Sequence, residues 1–209
     1  MTAYFGDSGQ WSTAAFQDMA WHLHHYGFRS PGYFSKGEWV RASMFRAART
    51  VDLGNPICRR RFSLYSMPEL DALGRQLKDC DVFTYAYLPS FRVALTAAVV
   101  MLVPMPNRWS VSLLQRAFQK VRLPVGGFVM AQVVGKTDGR ERCLTAQIVY
   151  DKHLDSWING LVVAMAARLI ADCNGVRAGV NFLAEAVDAT IFVSALRKAG
   201  VEQTEVLTP

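Results

Sequence analysis

Three histidines crowd one short stretch of this chain: His22, His24 and His25. Imidazole titrates near neutral pH and ligates metals, and positions 22 and 25 stand close enough to share one helix face. Nothing around them completes a tetrahedral ligand set, and His153 is remote in sequence. No metal site is expected, and capping of helix-end carbonyls is the ordinary role. Serines are plentiful, but no G-x-S-x-G elbow presents one as a nucleophile. Cys58, Cys80, Cys143 and Cys173 include no C-x-x-C pair, which removes the common redox and zinc-ribbon patterns and leaves buried free thiols. Asp151 and Asp155 fall where a helix begins, and capping accounts for them. No catalytic residue is therefore assigned. Neither a G-x-G-x-x-G fingerprint nor a P-loop occurs.

Two segments have the makings of a binding site instead. Asp7-Ser8-Gly9-Gln10-Trp11-Ser12-Thr13 is a glycine-containing loop that leads into a helix. The free backbone amides of a first helical turn form a cradle for a carboxylate or phosphate. Gln10, Trp11, Ser12 and Thr13 are candidate substrate contacts on that basis, with plain N-capping as the competing role. Trp157 and Asn159 open a long apolar helix, where an indole wall and an amide could line a pocket. Core packing of Trp157 and satisfaction of a loop by Asn159 compete with that role. Trp39 and Trp109 carry no assignment.

Ordinary amphipathic elements must position these residues, and periodicity supplies them. A helix starting at Ser12 or Thr13 turns Phe16, Met19, Ala20 and Leu23 to one face and stops at Gly27. Gly32–Val40 predicts two short extended segments about Lys36-Gly37-Glu38. Ile57–Tyr65 alternates as a strand, with Arg59-Arg60-Arg61 as a solvated edge. Ser66-Met67-Pro68-Glu69 combines a capping box with an early proline, and Leu70, Leu73 and Leu77 form the inner face of the helix it starts. Asp81–Leu88 alternates as another strand.

Val93–Leu102 is apolar all round, which fits a helix or a strand, and its length suits a buried helix better. Ser110–Arg122 is amphipathic, with Val111, Leu114, Ala117, Phe118 and Val121 inward. Gly127–Val134 and Arg140–Tyr150 form a hairpin across Gly135-Lys136-Thr137-Asp138-Gly139. Both faces of its first strand are apolar, which predicts cover on both sides by helices or a partner subunit. Leu154–Asp172 reads as a buried helix closed by Asn174-Gly175, and Asp188 caps a last helix that ends before Gly200. The expected fold is α/β (α+β). One domain over residues 1–209 would hold a mixed, mainly antiparallel sheet of about five or six strands packed with helices.

Composition bounds the function. The 209 residues are 51% apolar and 19% charged, an ordinary globular balance. The net charge of +6 is scattered, so neither a nucleic-acid partner nor an amphipathic membrane anchor is expected. The longest apolar stretch, Val93–Met105, contains Pro104 and falls short of the roughly 20 residues of a membrane span. Met1 to Asp7 lack the basic and apolar regions of a signal peptide, and a cytoplasmic protein is expected.

A longer-range pattern joins several of these pieces. It comprises the Gly135–Gly139 turn, the Ala-rich helix, Gly175-Val176 or Gly179-Val180 after it, and the run Asp188, Phe192, Leu196, Gly200-Val201. Together they resemble the carboxyl-terminal domain of saccharopine dehydrogenase-like oxidoreductases. Gly6–Thr13 resembles the small-residue loop by which such proteins enter that domain after their Rossmann fold. The resemblance runs through nearly the whole chain on short motifs. It departs at Trp157-Ile158-Asn159-Gly160, where many relatives have a threonine-rich start.

The resemblance implies the substrate-binding and dimerisation half of an NAD(P)-dependent oxidoreductase. A small-molecule substrate and a second copy of the chain are the implied partners. NAD(P) is expected on a separate or truncated Rossmann domain, with no cofactor bound by this chain, which would then not be redox-competent alone. The alternative expectation is a free-standing binding module, or a cofactor-free isomerase or cyclase, for an apolar or amphipathic small molecule.

Overall fold

Apolar alternation builds most of the strands in this chain, and 3.6-residue spacing builds the helices between them. The computed structural model describes residues 1–7, 11–26, 31–43, 47–65, 68–87, 89–119, 121, 123–137, 139–150, 155–172, 187–198, 201 and 203–208. In chain order the elements are β1 (Thr2–Asp7), α1 (Thr13–Tyr26), β2 (Gly32–Ser35), β3 (Glu38–Arg41), β4 (Ala48–Asp52) and β5 (Arg59–Leu64). α2 (Pro68–Gln76), β6 (Asp81–Tyr87), α3 (Phe91–Leu102) and α4 (Asn107–Phe118) follow. The chain continues with β7 (Gly127–Thr137), β8 (Arg140–Tyr150), α5 (Asp155–Ala171), α6 (Ala189–Lys198) and β9 (Gln203–Thr208).

The strands join one sheet in the order β3-β2-β6-β1-β7-β8-β9, with β5 beside β6 and β4 beside β5. β1 and β6 are parallel, and the other pairs are antiparallel. β2 meets the start of β6 at Val82, and β5 meets its end at Tyr85–Tyr87. The mixed, mainly antiparallel α/β class therefore holds. The sheet is larger than expected, with nine strands among the described residues. The additions are β1, β4 and β9, whose alternation is weak. β4 offers only Ala48 and Val51 as apolar residues, and β9 places Val206 and Leu207 side by side.

Register explains where the core sits. One row runs Leu64, Tyr85, Tyr4, Met130, Gln147, Thr204 across β5, β6, β1, β7, β8 and β9. Side chains of such a row share one face. Leu64, Tyr85, Tyr4 and Met130 are buried there with Phe62 and Phe128, and Leu53, Ile57, Leu123 and Val125 close over them. Phe5, adjacent to Tyr4, points the other way and meets Tyr65, on which His22 of α1 stacks. A second core forms among helices on that side, from Phe16, Ala20 and Leu23 of α1, Val93 and Val100 of α3, and Val111, Leu114, Ala117 and Phe118 of α4. These include the inward faces expected for α1 and α4.

Several expectations change. The Arg59–Arg61 run pairs on one side only, with Thr50–Asp52 of β4, because β6 meets β5 at Phe62–Leu64; Arg59 and Arg61 are exposed and Arg60 is half-buried. The β7–β8 loop tightens from five residues to two, since Thr137 pairs with Arg140, and Gly139 supplies φ of +75°. Phe128 and Met130 of β7 are buried, but Val129, Val133 and Val134 are exposed, so β7 is not covered throughout. α5 buries Leu169 and leaves Val163 and Ile170 exposed, and α3 buries Val93 and Val100 alone. A helix apolar on every side has no polar face to orient it, so its sequence specifies burial without specifying a direction. The caps expected at Gly27, Ser66, Asn174-Gly175 and Gly200 lie outside the described residues. Among the described residues, no helix is long and apolar enough to cross a membrane.

Candidate functional site

β1 and β6 run side by side in the same direction, Phe5 opposite Ala86, so their carboxyl ends open together. β1 leads to α1 and β6 to α3, and the two helices pack against each other. In mostly parallel α/β sheets, ligands collect outside the carboxyl ends of the strands; here, among the described residues, β1 and β6 are the one parallel pair. The starts of two helices also bring positive dipole ends to that side. Gly6 is required here: a Cβ would stand 2.6 Å from Tyr87 Cβ and 2.7 Å from Phe128 Cε1.

Three of the six candidate substrate contacts meet at the start of α1. Trp11 stacks on Phe118 with ring centroids 5.0 Å apart and tilts against Phe16 at 5.5 Å, which ties the indole into the helical core. Ser12 Oγ accepts from Ala15 N at 3.2 Å, an N-cap. Thr13 Oγ1 accepts from Gln115 Nε2 of α4 at 3.3 Å. The fold thus uses both hydroxyls, and the competing capping role is realised for Ser12. Gln10 lies outside the described residues. Trp157 and Asn159 fall in the first turns of α5, their side chains also outside the described set.

The three histidines turn to separate partners. His22 stacks on Tyr65 at 5.0 Å, and His24 Nε2 shares a 3.0 Å hydrogen bond with Ser110 Oγ. His25 Nδ1 donates to Trp21 O at 2.7 Å, and its ring stacks on that indole. Among the described residues, no group of three His, Cys, Asp or Glu could hold a metal ion.

A second cluster escaped the sequence analysis. The Arg49 guanidinium on β4 lies 4.1 Å from the Tyr85 ring centroid and 5.0 Å from that of Tyr4, and it donates from Nη2 to the Tyr4 hydroxyl. Tyr4 and Tyr85 stack at 5.5 Å, and Tyr33 stacks on Phe83 at 4.5 Å. Burial draws Arg49 below its ordinary pKa, partly offset by Tyr85. Burial pushes Tyr85 up, against the opposing charge of Arg49, and it pushes Tyr87 up against Arg60. These phenols stay protonated at neutral pH, so they orient and stack without acting as bases. Arg60 Nε is buried without a hydrogen-bond partner, the kind of donor an ordered water satisfies.

The sequence offers little signal for this cluster. Residues 4, 49 and 85 meet only through strand register. Among the described residues, neither place pairs a nucleophile with a general base. No family model matches this chain, and no curated protein matches it.

Proposed function

We propose that this chain is the substrate-binding and dimerisation domain of a saccharopine dehydrogenase-like NAD(P)-dependent oxidoreductase. The nicotinamide would lie on a dinucleotide-binding domain outside these residues. The observation that carries the reading is an apolar sheet face left open. Val133, Leu144 and Leu207 form one cross-strand row over β7, β8 and β9, and all three are exposed, as is Val129 on the same face. A self-complementary patch of this kind is what an isologous homodimer buries. The carboxyl ends of β1 and β6, beside Trp11, Ser12 and Thr13 at the start of α1, would receive the small-molecule substrate. Such a protein would work in the cytoplasm.

The test supplies a dinucleotide-binding domain of that family, fused or added, with amino-acid adducts, polyamine precursors and lipid-like compounds as substrates. Nicotinamide turnover that requires both parts supports the reading, and silence across the whole panel overturns it. The ring stack around Arg49, which carries no reacting group, favours the second reading of a free-standing module for an apolar or amphipathic ligand. Native mass spectrometry separates the two, since the module should retain its ligand without any added domain.

A further inference from the structure

Helices α3 and α4 turn apolar residues outward. Phe91, Leu95, Val99 and Leu102 recur at helical spacing along α3, and Phe91 is 77%, Leu95 54% and Leu102 57% exposed. Val93 and Val100 of the same helix are buried in the helical core. At about 100° per residue the two sets lie on opposite faces. α4 repeats the arrangement, with Trp109 58% exposed and Leu113 also exposed while Val111, Leu114 and Phe118 pack inward. α3 and α4 pack against each other and are joined only by Val103–Pro106, so the two outward stripes belong to one helical hairpin.

Its charge has one sign. From Phe91 to Phe118 the charged residues are Arg92, Arg108 and Arg116, with no Asp or Glu. All three arginines are exposed, and none belongs to an ion pair among the described residues. An apolar stripe with aromatic residues, flanked only by cations, complements a surface that is negative at its headgroups and apolar beneath. Arginine stems reach from an apolar layer to lipid phosphates while their heads stay in water. Each helix has 12 residues, too short to span, so the hairpin would lie in the plane of the interface.

The geometry points to a peripheral docking surface for an anionic membrane, with the outward stripe of α3 and α4 set into the headgroup boundary and Arg92, Arg108 and Arg116 on the lipid phosphates. This surface is distinct from the open β7–β9 face and does not depend on the oxidoreductase reading.

Co-sedimentation of the full chain with phosphatidylcholine vesicles, with and without about a third phosphatidylserine, tests it. Binding should be at least tenfold stronger to the anionic vesicles. Arg92→Gln and Arg108→Gln should each weaken it about fivefold. Leu95→Gln combined with Leu102→Gln should weaken it at least tenfold while circular dichroism stays unchanged, because both side chains are already exposed. Equal, marginal sedimentation of the wild type with both vesicles overturns the proposal without recourse to any variant. So does anionic binding that the Leu95/Leu102 variant retains in full. If the wild type ignores vesicles and those leucine changes instead abolish self-association, the stripe faces a second copy and the membrane proposal fails.

Discussion

The middle of the sheet and its β9 end are built from similar side chains and finished differently. Around β1, β5 and β6, Tyr4, Phe62, Tyr85 and Phe128 are closed in on one face, and helix α1 covers the other through His22 and Tyr65. Along the far half of β7 and across β8 and β9, Val133, Val134, Leu144 and Leu207 stay exposed. Nearby in sequence, among its described side chains α5 buries only Leu169, and it packs with α6. Apolar area gains about 25 cal/mol per Å² only when it leaves water. The first region collects that gain within the chain, while the second leaves it uncollected among the described residues, and the proposed dimer would collect it by association.

The sharpest contrast comes from truncating one side chain on each side. Phe62→Ala should cost about 3–5 kcal/mol in urea unfolding, because Phe62 is fully buried among Tyr4, Tyr87 and Phe128. Gly6→Ala should follow at about 1–3 kcal/mol, since its methyl group meets Tyr87 and Phe128 below contact distance. Asp188→Ala should cost about 1 kcal/mol, since Asp188 Oδ1 accepts from Thr190 N at 2.9 Å and Ile191 N at 3.0 Å. Hydrogen exchange should place that loss in α6. Val133→Ala, on the open half, should stay within about 0.5 kcal/mol at concentrations low enough to keep the chain monomeric. Comparable losses at Phe62 and Val133 would erase the distinction.

The smallest change at neutral pH belongs to Tyr85→Phe, which keeps the stacked ring. Its effect should appear in alkali. The folded state holds the Tyr85 phenol above its ordinary value, chiefly by burial, so unfolded chains ionise first, near pH 10. Stability contributed by the protonated phenol is present below that pH and is lost as pH rises through the folded value. Unfolding followed from neutral pH upward should show a shallower decline in the variant.

Legibility in the sequence divides along similar lines. Elements with a polar face were readable: α1, the strands about Lys36-Gly37 and the cap at Asp188 appear where spacing placed them, and α4 keeps its inward face but runs Asn107–Phe118 in place of Ser110–Arg122. Burial was misread where no polar face existed. Val129 and Val133 of β7, Val163 of α5 and Leu95 of α3 look like core residues by composition, yet they face outward. Of the candidate site, the loop into α1 was readable because Ser12 is a strong capping residue. The Arg49–Tyr4–Tyr85 cluster was not, since it depends on the parallel pairing of β1 with β6 and on the β4–β5 hairpin. Local sequence does not encode pairings over such separations.

Sedimentation equilibrium of the wild type and of a Val133→Lys, Leu144→Lys double variant tests most directly whether the open half is an association surface. The account predicts a dimer for the wild type at high micromolar concentration and a folded monomer for the variant. A wild type that stays monomeric, or a variant that dimerises equally well, would contradict it.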